Sequence, residues 1–119
     1  MTDKKLDLSL IDQPLPPDYE RCTRGQHEAL GAIREAVTGL REVTREERES
    51  QEYWRRKGPN LTASDAVTEA VYDITDDTRP IRSNRYFAQL EIAVRRAVEL
   101  GMIDIPMIQQ YAEVLGIRT

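Results

Sequence analysis

The sequence predicts an all-α fold: a single small helical-bundle domain of about four helices, preceded by a non-helical N-terminal arm. Three observations carry that expectation. The stretch 83–101, SNRYFAQLEIAVRRAVELG, sets Tyr86, Phe87, Leu90, Ala93, Val94, Ala97, Val98 and Leu100 along one face of a 3.6-residue repeat. A second stretch, Thr23 to Lys57, carries Leu30, Ile33, Val37 and Leu40 three and four apart. Against these stands only one segment with the period of a strand, Leu6 to Leu10, and a lone short strand makes no sheet.

Taken in order, residues 1–22 form the arm and residues 23–119 the helical domain. In the arm, Leu6, Leu8 and Leu10 alternate with Asp7 and Ser9, and Pro14, Pro16 and Pro17 impose extended geometry after them. The leucines either rest on the helical body or add to another chain, so all three are candidate partner-binding residues. The helix from Thr23 is expected to end at Gly58-Pro59. A row of small residues, Ala29, Ala32, Ala36 and Gly39, lets a neighbouring helix come close. Past Val43 the seam turns polar, and Tyr53 and Trp54 are the next bulky residues on it. Some 33 helical residues span about 50 Å, which overhangs a compact domain. The expectation is therefore a helix that overhangs a compact monomer, a break near Gly39 or Ser50 that folds it back, or a second chain, most simply in a homodimer. In that dimer, Trp54 of one copy meets the Leu30–Val37 seam of the other.

After GPNLTASD, where Thr62 and Asp65 suggest a capping box, Ala63, Ala66, Val67, Ala70, Val71 and Ile74 mark one face of a short helix. Thr78-Arg79-Pro80 is expected to end it, and Ser83 to cap the next helix, which Gly101 closes. Asp104 and Pro106 open a terminal helix whose apolar face is Ile105, Ile108, Ala112 and Leu115, with Gly116 at its end.

Composition limits function. At 119 residues, 39% hydrophobic and 32% charged, the chain has material for one cored domain. Seventeen basic against twenty-one acidic residues leave a net charge of -4, which argues against broad nucleic-acid binding. Cys22 is the only cysteine and His27 the only histidine, so neither a disulfide nor a thiolate–imidazole zinc set is available. Asp73, Asp76 and Asp77 lack the spacing of a calcium loop, and no phosphate-binding glycine loop or nucleophile elbow is present. No catalytic, metal or cofactor site is expected. With neither a signal peptide nor an apolar run of membrane-spanning length, the expected location is cytoplasmic.

Two basic groups remain. Tyr53, Trp54, Arg55 and Arg56 close the long helix, and Arg79, Arg82 and Arg85 surround the turn expected near Pro80. If the helices carrying them lie side by side, arginines interleaved with aromatics form a partner-binding patch; otherwise they pair with neighbouring carboxylates. Near the C-terminus, the run Ala112-Glu113-Val114-Leu115-Gly116-Ile117 resembles the end of the positioning helix in helix-turn-helix regulators. The recognition helix that follows in such regulators has no counterpart before Thr119, so the resemblance transfers no function. The leading expectation is a non-enzymatic protein-interaction module: an accessory subunit, adaptor or inhibitor of a larger assembly. A helix-turn-helix-like DNA-binding regulator is the alternative.

Overall fold

In the computed structural model, which describes residues 6–58 and 65–119, three α-helices follow one another: α1 Arg24–Lys57, α2 Ala66–Glu99 and α3 Pro106–Leu115. Short 3-10 turns occupy Leu8–Asp12, Pro17–Tyr19 and Met102–Asp104, and there is no strand among the described residues. The helical class stands, but among the described residues the count is three and not four.

α1 starts at a reciprocal cap. The Thr23 hydroxyl accepts from the Gln26 backbone N–H, and the Gln26 side chain accepts from the Thr23 N–H. The helix then runs 34 residues without a break and stops at Gly58, whose φ is 58°. The fold-back considered near Gly39 or Ser50 does not occur. At Gly39 the missing side chain has a structural use: an added Cβ would lie 2.4 Å from the Tyr86 ring. α1 and α2 approach closely there because this position is bare.

α2 corrects the sequence reading most. The helices expected on either side of Pro80 are one helix of 34 residues, with Pro80 exposed inside it and Ser83 well within it rather than at a cap. Proline removes one backbone donor and crowds the preceding turn, at a cost of about 3 kcal/mol. The continuous packing seam outweighs that local preference. Tyr72, Asp76, Arg79, Ser83, Tyr86, Leu90, Ala93 and Ala97, alternately four and three apart with a final step of four, all lie partly or fully buried on the α1 side. Of the expected capping box, Thr62 lies outside the described residues, as does Ala63 of the apolar face; Asp65 pairs with Lys57.

The core sits at one end of this antiparallel hairpin. Leu30, Ile33, Val37 and Leu40 from α1 meet Leu90, Val94 and Ala97 from α2 and Ile108, Tyr111 and Ala112 from α3. Gly101 and Gly116, with φ of 78° and 69°, turn the chain at the ends of α2 and α3. Asp104 does not cap α3; its carboxylate accepts from the Tyr19 hydroxyl at 2.5 Å, which pushes the Tyr19 pKa up to about 12.

The arm is packed, not strand-like. Residues 8–12 form a 3-10 turn started by Asp7, whose side chain accepts from the Ser9 N–H. Tighter winding brings Leu6, Leu8, Leu10 and Ile11 all toward the core, and Leu10 is buried in it. Arg41 donates to the Leu8 carbonyl and pairs with Asp12, while the Tyr111 hydroxyl donates to the Asp7 carbonyl at 2.8 Å.

Beyond the arm and α3, the remainder of α1 and α2 projects as a two-helix overhang. The molecule measures 57 × 35 × 22 Å with a radius of gyration of 18.2 Å. A compact chain of this size has about 13–14 Å.

Candidate interaction surface

The overhang is built with its polarity reversed. Between its two helices lie polar side chains. Asp76 accepts from the Ser50 hydroxyl at 2.7 Å, from the Trp54 indole at 3.3 Å and from Arg79 at 2.5 Å. Arg82 pairs with Glu46 across the gap, and Tyr53 stacks on Tyr72 with ring centroids 4.4 Å apart. Burial raises the Asp76 pKa, but the hydrogen bonds from Ser50 and Arg79 more than reverse this and leave it lowered. The Arg82 hydrogen bond likewise holds Glu46 below the usual carboxylate range. The Tyr53 hydroxyl is buried with no hydrogen-bond partner among the described residues, and burial beside Glu69 raises its pKa.

On the opposite side of α2 lie its apolar residues. Val67, Val71, Ile74, Ile81 and Ile92 are between 57% and 78% exposed. With Thr78, Arg85 and Ala88 they form a row at 67, 71, 74, 78, 81, 85, 88 and 92, alternately four and three apart. That is the spacing of a helix seam that packs against another helix. Scattered surface hydrophobics are normal, but a contiguous row of β-branched residues is not. At its C-terminal end the row borders a groove of about 480 Å³, lined by Arg85, Ala88 and Ile92 and by Gly25, Ala29 and Ala32 of α1. The small α1 residues leave that side of the groove open.

The partner-binding residues singled out from sequence fall elsewhere, with the exception of Arg85. Leu10 is buried and serves the chain's own core; Leu6 and Leu8 are half-buried beside it. Tyr53 and Trp54 do meet Arg79, because Asp76 lies between the two groups, but they sit inside the hairpin. Arg79 and Arg82 are taken by Asp76 and Glu46, and Arg55 and Arg56 share Glu52 on their own helix. Only Arg85 of these five arginines has no ion pair among the described residues, and it lies in the outer row. The Leu30–Val37 seam, offered above to Trp54 of another copy, is filled by α2 and α3 of the same chain.

The outer row was missed because the reading stopped the helix before Pro80, which cut the row in two. Its signal was present in the spacing. Among the described residues, no cluster of His, Cys, Asp or Glu suits a metal ion, and no helix is long and apolar enough to cross a membrane. The run Ala112–Ile117 ends α3, and no helix follows it among the described residues. Comparison with protein-family models, curated proteins and solved structures finds no match.

Proposed function

We propose that this chain is a non-enzymatic protein-interaction module, an accessory subunit or adaptor, whose working surface is the outer face of α2. The observation that carries the reading is the reversed polarity of the overhang: valines and isoleucines face outward while carboxylates, arginines and tyrosines lie between the helices. Burying an apolar side chain is worth about 1.5–3 kcal/mol over leaving it exposed. A row of five left outward has a large gain available from any complementary helix. Pairing of Arg55, Arg56, Arg79 and Arg82 with carboxylates leaves only Arg85 of the two basic groups unpaired among the described residues, which weakens the case for a phosphate-binding patch there.

The test is affinity capture from the native host with the wild-type chain and with Ile81→Glu, compared by quantitative mass spectrometry. Ile81 is exposed, so the substitution leaves the monomer fold intact while placing a charge in the row. Proteins retained by the wild type and lost by Ile81→Glu support the reading; identical retention refutes the α2 face. A parallel titration with duplex DNA should show no binding, and affinity that falls steeply with salt would instead favour the regulator class.

A further inference from the structure

We infer that the occupant of the α2 face is a second copy of this chain, with the two α2 helices antiparallel about a two-fold axis passing between residues 79 and 80. This rests on the reading that the outer face of α2 is a protein-binding surface and names what binds there.

The spacing of the row is the first argument. Read from either end, 67, 71, 74, 78, 81, 85, 88 and 92 gives the same succession of fours and threes. A two-fold axis at its midpoint therefore returns every row position onto another row position. Val67 meets Ile92 of the second copy, Val71 meets Ala88, Ile74 meets Arg85 and Thr78 meets Ile81. An isologous dimer needs such a self-complementary patch.

Shape agrees with spacing. Val67 and Val71 project at one end of the row, and the groove walled by Gly25, Ala29, Ala32 and Ala88 lies at the other. The antiparallel arrangement brings each copy's valines to the mouth of the other's groove.

Charge selects the direction. Among the described residues, Asp77 and Arg85 are exposed and carry no ion pair in the monomer. In the antiparallel register, Asp77 of each copy comes beside Asn84 and Arg85 of the other, so the one cation within the row gains an anion. A parallel in-register pair would instead set Arg85 against Arg85. The oppositely directed helix dipoles favour the same choice.

Size sets the strength. The row is about 38 Å long, and two helices meeting along it bury on the order of 1,000 Å² in total, the lower edge of specific interfaces. Association in the micromolar range is therefore expected.

Sedimentation equilibrium on the full chain tests the occupant. The wild type should approach twice the monomer mass at high micromolar concentration, and Ile81→Glu should be monomeric with unchanged helical circular dichroism. Arg85→Asp should weaken association at least tenfold, and combining it with Asp77→Arg should restore it. Direction is tested in a Cys22→Ser background with a short bis-maleimide. A mixture of Val67→Cys and Ile92→Cys chains should cross-link, whereas neither alone should. Cross-linking of each variant with itself overturns the antiparallel arrangement. A monomeric wild type, or an Ile81→Glu chain that remains dimeric, overturns the second copy as occupant. The two readings fail separately. A monomeric wild type whose captured proteins are still lost by Ile81→Glu refutes self-association and leaves the protein-binding face standing. Capture indifferent to the substitution removes the face as well.

Discussion

Two glycines on α1 provide a paired measurement of how closely the helices approach. Gly31 is exposed and nothing lies within 4 Å of an added Cβ; at Gly39 the same Cβ would sit 2.4 Å from the Tyr86 Cε1 and Cζ atoms. Both are interior helix positions, so Gly→Ala gains about 1 kcal/mol of helix propensity at each. At Gly31 nothing opposes that gain, and Gly31→Ala should stabilise by about 1 kcal/mol. At Gly39 the Tyr86 ring must retreat by about 1 Å to reach ordinary contact, and overpacking of this kind costs about 1–3 kcal/mol. The difference between the two variants removes propensity and isolates the Tyr86 contact at about 1–3 kcal/mol. Urea unfolding at one fixed protein concentration reads it, since any self-association makes the midpoint depend on concentration. In the Tyr86→Ala background the two glycine substitutions should become equivalent within about 0.5 kcal/mol. Equal stabilisation by Gly31→Ala and Gly39→Ala in the wild-type background would refute the close approach of α1 and α2.

Three further outcomes follow from the core and the polar layer. Leu90 is fully buried where α1, α2 and α3 converge, so Leu90→Ala should cost about 2–5 kcal/mol in denaturant unfolding; an unchanged midpoint would displace the core from this site. Tyr111→Phe removes the donor to the Asp7 carbonyl and should cost about 0.5–1.5 kcal/mol, with faster amide exchange over residues 8–12 and little change in α1. Because the folded-state pKa values of Glu46 and Asp76 lie below the ordinary 4.5 and 3.8, their contribution is complete above those values and lost as pH falls through the lower folded ones. The contribution of these pairs to thermal stability should therefore not change with pH near neutrality and should decline in acid, and Glu46→Gln should lower neutral stability while flattening that acid decline.

The arm shows how a correct pattern gives a wrong geometry. Alternating Leu6, Leu8 and Leu10 have the period of a strand, yet a 3-10 turn also gathers near neighbours onto one side. Asp7 decides between them by accepting from the Ser9 N–H, and Arg41 and Tyr111 then hold the Leu8 and Asp7 carbonyls. Both of those donors are remote in sequence. Of the two expected roles for the leucines, resting on the helical body is the one seen, and Leu10 fastens the arm to the core.

Local period alone determined which residues share a face in this chain. Leu30, Ile33, Val37 and Leu40 on α1, and Leu90, Val94 and Ala97 on α2, line the core because their spacing leaves them no other side to occupy. The terminators were equally legible at Gly58, Gly101 and Gly116, where a glycine at positive φ lets the chain leave a helix. Only the tertiary structure decided that α2 continues through Pro80, because the gain comes from its seam against α1 and not from the local helix preference around the proline. It also decided which face of α2 is covered. Spacing marks two seams on opposite sides of that helix, and α1 takes the polar one along the overhang. The arm and α3 cover only the far end of the hairpin, so the valines and isoleucines of the other seam are left facing outward.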